Sequence, residues 1–134
     1  MPDFKGNKPD NLICEEQEIQ IEKKGFYSAA FMIGFGECGE FGGWNGIGET
    51  IHLTYHDNSV EKTKIFFYDW WRGGGTFEFE SETNCKLAIS AKDNNGVNRY
   101  IYCCRINLNK KKELSGIHLP YNPCIHILAV TLCE

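Results

Sequence analysis

The chain has 134 residues, of which 42% are hydrophobic, 24% charged and 13% aromatic, and its formal net charge is −4. This length suits one domain with its own core, and we predict a single domain over residues 1–134 in which residues 1–11 are loosely ordered. The negative charge argues against binding nucleic acid through phosphate neutralisation, and no apolar run approaches the roughly 20 residues that a membrane span needs. We therefore expect neither a nucleic-acid nor a membrane partner.

Residues 1–10 are polar and lack the apolar centre of a signal peptide. We interpret the chain as an extracellular module of a secreted protein, with a cytoplasmic protein as the alternative. Seven cysteines leave at least one thiol without an intramolecular partner, and the absence of C-x-x-C argues against zinc-ribbon and thioredoxin classes. Cys85, Cys104 and Cys133 lie within or beside apolar segments, so we expect small buried hydrophobes and mostly reduced thiols.

Eight segments show the alternation or apolar character of β-strands, and none of useful length has the helical period. In chain order they are residues 17–22, 26–35, 50–56, 60–70, 85–91, 97–108, 113–119 and 125–132. Turn chemistry separates them, most clearly in DNNG at 93–96. The pattern predicts an all-β fold, a jelly-roll β-sandwich of about eight antiparallel strands.

Alternation divides the strand positions between an inward and an outward face. The predicted inward set includes Ile51, Leu53, Tyr55, Leu87, Ile89, Tyr100, Tyr102, Cys104 and Ile106. In the aromatic run, Trp70 shares a face with Phe66 and Tyr68, whereas Trp71 shares the other face with Phe67 and Asp69. Because Arg72 and three glycines follow directly, we expect Trp71 to be exposed and Trp70 to be packed.

If each strand runs antiparallel to its predecessor, the loops after Phe35 and after Trp70 lie at one end, which we call the upper end. The same assumption puts the turn at Asn58 and the DNNG turn at the lower end, and the turn at Lys110 at the upper end. Trp44, Trp71 and Arg72 are therefore expected to lie close together.

The loop 35–48 contains six glycines and one tryptophan, a composition that a buried core does not explain. It presents Trp44 beside Glu40 and Asn45, and the second loop adds Trp71 and Arg72. The C–H face of a sugar ring stacks on aromatic side chains, and Asn, Glu and Arg hydrogen-bond its hydroxyls. We therefore predict non-catalytic carbohydrate binding by these five residues.

Other site types find less support. GFGECG at 34–39 matches a dinucleotide-binding motif, but the glycines after it prevent the helix that the motif requires. No G-x-S-x-G nucleophile motif occurs, no acidic pair converges recognisably, and the four histidines follow no metal-ligand spacing. We expect His52 and His56 to be solvated and His126 to be structural, so the chain is predicted not to be an enzyme, with no cofactor identified.

The C-terminal run IHLPYNPCIHILAVTL, residues 117–132, resembles the closing strands of galactose-binding-like β-sandwich domains attached to bacterial glycoside hydrolases. Pro120, Asn122, Pro123, His126, Ala129, Thr131 and Leu132 carry this match, and TIHLTYHDNS at 50–59, FYDW at 67–70 and INLNKK at 106–111 agree with it in order.

The resemblance covers about residues 9–132 and implies a jelly roll that recognises carbohydrate beside a linked catalytic domain. Such domains often have a further N-terminal strand, which this chain lacks or has shortened, so the resemblance does not assign a structural calcium site. The alternative is a structural or protein-interaction β-sandwich.

Overall fold

The computed structural model describes residues 11–37, 46–71 and 84–134. The described residues form nine β-strands and no helix: β1 Leu12–Glu15, β2 Glu18–Gln20, β3 Ala29–Gly36, β4 Ile47–Tyr55, β5 Val60–Phe67, β6 Cys85–Lys92, β7 Asn98–Asn107, β8 Leu114–His118 and β9 Tyr121–Cys133. Two antiparallel sheets pack as a sandwich, one ordered β1-β9-β3-β7-β6 and the other β2-β8-β4-β5. The all-β sandwich is confirmed, with one strand more than predicted because β1 is too short to show alternation.

The core lies between the two sheets and is built from the inward positions of each strand. Its fully buried side chains include Met32, Ile51, Leu53, Ile65, Phe67, Tyr102, Cys104, Ile106, Ile117 and Ile125. The inward faces predicted for β4 and β7 are therefore confirmed. Side chains alternate between the core and the outside wherever a strand packs against the opposite sheet.

The predicted face of the aromatic run is wrong by one residue. Phe67 is fully buried opposite Ile47, whereas Phe66 points outward and is half-buried. The strand ends at Phe67, and Tyr68 and Asp69 are then both buried, so alternation does not continue to the tryptophans. Assigning the faces by alternation from Trp70 therefore put Phe66 on the packed face and Phe67 on the other, which is the reverse of the observed arrangement.

The prediction that Leu87 and Ile89 point into the core is also wrong. Leu87 is 44% exposed and Ile89 is 55% exposed. Five strands face four, so the edge strand β6 extends beyond its partner sheet, and a register shift between these two residues gives them opposite faces. Alternation in an edge strand does not by itself establish burial.

Two of the predicted turn positions are reversed. Strand β3 runs upward and ends at the upper end. It is antiparallel to β7, and β7 is antiparallel to β6, so β6 also runs upward, as β5 does. The DNNG turn therefore lies at the upper end. The Lys110 turn lies at the lower end, where the Asn109 amide donates to the Tyr55 hydroxyl at 3.1 Å. Strands β5 and β6 therefore run in the same direction, which strict antiparallel succession excludes.

The prediction that most thiols are reduced is confirmed. Cys14, Cys85, Cys103, Cys104 and Cys133 are not in disulfide bonds, and Cys124 is disulfide-bonded. Cys85 and Cys104 are buried as expected, whereas Cys133 is exposed.

Candidate functional site

The upper end of the five-stranded sheet contains a short inserted segment, residues 68–71. Above Gly34, strands β3 and β7 separate, and this segment occupies the space between them. The Gly36 amide donates to the Tyr68 carbonyl at 2.9 Å and the Trp70 amide donates to the Gly36 carbonyl at 2.9 Å. On the other side, the Tyr100 amide donates to the Trp70 carbonyl at 3.0 Å. Both neighbouring strands therefore fix the backbone that carries Trp70 and Trp71.

Asp69 determines how the chain turns after this segment. The residue is only 2% exposed, and its carboxylate accepts a hydrogen bond from the Trp71 amide at 2.8 Å. The Tyr102 hydroxyl donates to the Asp69 carbonyl at 3.2 Å. A side-chain acceptor two residues before an amide is a turn-forming arrangement, and here it directs Trp71 out of the sheet.

Arg99 contacts both tryptophans. Its guanidinium carbon lies 3.7 Å from the centre of the Trp71 ring and 4.8 Å from that of Trp70. Arg99 Nη2 also pairs with Asp93 at 2.7 Å. Hydrogen bonds from the Val97 and Asn95 amides, together with Arg99, hold the pKa of the Asp93 carboxyl below its usual range. The DNNG turn thus supplies an ionised carboxylate that orients the cation on the indole rings.

Trp70 belongs to a row of stacked rings on the outer face of the same sheet. The Phe35 ring lies 5.1 Å from the Trp70 ring and 4.8 Å from the His126 ring, nearly parallel to both. Trp70 is half-buried by these contacts, so the prediction that it packs while Trp71 is exposed holds in direction. It packs on the outside of the sheet, however, and not in the core.

His126 ends this row and is 8% exposed. Its Nδ1 lies 2.9 Å from Asn11 Oδ1, and its Nε2 lies 2.9 Å from Glu37 Oε1 without the alignment of a hydrogen bond. An imidazole enclosed between a ring, an amide and a carboxylate holds strand β9 against the residues before β1 and after β3. This arrangement agrees with the structural role expected for His126.

Of the five predicted ligand-binding residues, Trp71 lies within the described part of the chain and is 54% exposed. Because Arg99 covers one face of its indole, the exposed fraction belongs mainly to the opposite face and the ring edge. Trp44, Asn45, Glu40 and Arg72 lie outside the described residues. The flanks of both loops, at Gly36, Ile47 and Trp71, do lie together at the upper end.

Sequence reasoning missed Arg99 and Asp93. Both were assigned to the lower end because the DNNG turn was placed there. A usable signal for their pairing was available, since an Asp that opens a turn and an Arg six residues later are diagonal neighbours across a hairpin, where Arg99 lies opposite Ala91.

Among the described residues, no group of three or more His, Cys, Asp or Glu side chains is placed to hold a metal ion. Within the same ranges there is also no helix long and apolar enough to cross a membrane.

Comparison with known proteins identifies no family for this chain. No family model matches it, and no curated protein matches it either. The likeness of its C-terminal strands to galactose-binding-like domains therefore remains a prediction, and what is established is a sandwich of five and four antiparallel strands.

Proposed function

We propose that the chain is a non-catalytic carbohydrate-binding domain whose ligand stacks on Trp71 at the upper end. The observation that carries this proposal is a half-exposed indole on a fixed backbone, with Arg99 covering its inner face. Pyranose rings bind such surfaces through their C–H faces, and a preorganised ring loses little entropy on binding.

The predicted partners of Trp71 complete the proposal. Trp44 would supply a second ring, and Glu40, Asn45 and Arg72 would hydrogen-bond the sugar hydroxyls. We further propose that the sandwich is a jelly roll of the galactose-binding-like type and that it serves as an accessory module of a secreted glycoside hydrolase, without turnover of its own.

A glycan array followed by calorimetry tests the proposal. Stacking on an aromatic face contributes on the order of 1 kcal/mol or more, so Trp71→Ala should weaken glycan binding about tenfold while the fold is retained. Phe26→Ala is the matched control, because Phe26 is equally exposed, at 55%, but lies before β3 at the lower end. Equal affinity of wild type and Trp71→Ala for every glycan hit would refute the site.

A protein-interaction domain is the second candidate, and the exposed apolar side chains of β6 favour it. Leu87 and Ile89 are exposed on opposite faces of this edge strand, and Val97 is exposed in the turn that follows it. A linked catalytic domain could cover this edge. An array without any glycan hit, together with loss of domain association on Ile89→Ser, would favour this candidate.

A further inference from the structure

The outer face of the four-stranded sheet contains two adjoining clefts. One has a volume of about 770 Å³ and is lined by Thr50, Lys64, Phe66 and Asn84. The other has a volume of about 360 Å³ and is lined by His52 and His118, with Thr50 again. Thr50 lines both, so the clefts adjoin, and we call the two together the sheet groove, which crosses β8, β4 and β5. At about 4.8 Å between strands, the groove spans roughly 10 Å.

Two glycines and one phenylalanine shape this groove. Gly46 has a φ of +111°, and a Cβ on it would overlap the Phe66 ring. The ring therefore lies over the backbone at Gly46 and contacts Tyr68 edge-on, with centroids 4.9 Å apart. Gly48 is exposed beside it and adds no side chain. Phe66 thus forms an aromatic wall beside the exposed Gly48, and it belongs to a different sheet from Phe35 and His126 of the ring row.

The groove also has a distinct charge. Lys62 and Lys64 alternate on β5 and so point to the same outer face, and neither forms an ion pair with any described residue. Two acidic residues also line the groove: Glu16 lies in the smaller cleft, and Glu49 lies in the larger one, where it accepts a hydrogen bond from Asn122 Nδ2 at 2.8 Å. In a chain of net charge −4, two lysines that pair with no carboxylate in residues 11–37, 46–71 and 84–134 make the β5 end of the groove locally cationic.

We propose that the sheet groove is a second binding site, one that takes an acidic oligosaccharide. Phe66 would contact a sugar ring, the Thr50 hydroxyl would bond its hydroxyl groups, and Lys62 and Lys64 would bind its anionic substituent. Lysine acts as a point charge, so the shared chemistry is a carboxylate or a sulfate carried on a sugar. The proposal goes beyond the function proposed for the upper end, because it uses another sheet and other residues.

Calorimetry with three trisaccharide probes tests the site: a galacturonic acid trimer, its fully methyl-esterified form and a sulfated galactose trimer. We expect the charged trimers to bind at least tenfold more tightly than the ester. The double variant Lys62→Gln/Lys64→Gln should lose at least tenfold in affinity for them. A preference for the carboxylated or the sulfated trimer identifies the anion, and equal binding supports recognition of charge alone.

Two controls separate this site from others. Lys86→Gln/Lys92→Gln removes two exposed lysines from β6 of the other sheet and should change affinity less than twofold. Trp71→Ala should also leave binding of the acidic trimer within twofold, whereas it weakens ligand binding at the upper end.

Four results would overturn the proposal. Three of them are equal binding of the acid and its ester, equal losses in the two lysine double variants, and loss of the acidic trimer with Trp71→Ala. A single-stranded oligonucleotide of matched charge that binds more tightly than the trimers would assign the groove to nucleic acid and would also overturn it.

Discussion

Gly34 is the position at which the central strand β3 tolerates no side chain, and Gly34→Ala should destabilise the protein strongly. A Cβ there would overlap the backbone carbonyl oxygen of His126 on β9 and lie 3.2 Å from Phe67 Cε1. Both neighbours are held in place, the first by the β3–β9 ladder and the second by the core. Overpacking a core costs about 1–3 kcal/mol, and a backbone obstacle places this substitution at or above the upper value.

The expected shift in melting temperature follows from the size of the chain. At about 2.1 cal/mol/K per residue, unfolding this protein has an entropy near 0.28 kcal/mol/K, so a loss of about 3 kcal/mol lowers Tm by about 11 °C. Calorimetry or circular dichroism measures this shift. Gly48→Ala is the matched control, because its Cβ would meet Phe66 Cδ2 at 3.4 Å and the Ile65 carbonyl oxygen at 3.9 Å, both ordinary contacts. Equal melting temperatures for the two variants would refute the close approach of β9 to β3.

Two further predictions concern titration. Burial raises the thiol pKa of Cys14 and Cys85 to about 12 and that of Cys104 to about 11, so these groups stay protonated in the folded protein while the unfolded chain ionises near the ordinary value of 9.0. The free energy of unfolding should therefore fall above about pH 9, by up to about 1.4 kcal/mol per thiol and pH unit in urea titrations, and Cys104→Ala should flatten the slope. Hydrogen bonds from Ser59 lower the pKa of the Asp57 carboxyl to about 2, with Lys112 contributing less. NMR titration should find this value, and a larger upward shift in Lys112→Met than in Ser59→Ala would contradict the assigned cause.

The sequence predicted those parts of the fold in which local rules decide the outcome. Alternation identified the buried positions of β4 and β7 because both strands lie beneath the opposite sheet. It failed at Leu87 and Ile89 because burial of an edge strand depends on how many strands lie opposite, which is a property of the whole sandwich. It failed at Phe66 because the strand ends one residue later, where buried hydrogen bonds replace the ladder.

The candidate site was predictable only in part. That Trp71 is exposed followed from the arginine and glycines after it, and that part of the interpretation is confirmed. The contacts that orient Trp71 depend on the direction of β6, which a succession of antiparallel hairpins cannot give. The spacing of Asp93 and Arg99 could have predicted that they pair, but the end of the sandwich at which they lie depends on the direction of β6.

The inserted segment at 68–71 also determines how the molecule can be presented on a surface. Cys133 pairs with Ala29 at the start of β3, and the Ser28 hydroxyl donates to the Glu134 carbonyl at 3.2 Å, so residue 134 lies at the lower end. Strand β3 has eight residues, which places Trp71 about 25 Å from that point. A sensor chip coupled through a tag at Glu134 would therefore hold every molecule with its tryptophan facing the solution, whereas coupling through the DNNG hairpin would press the same ring against the support.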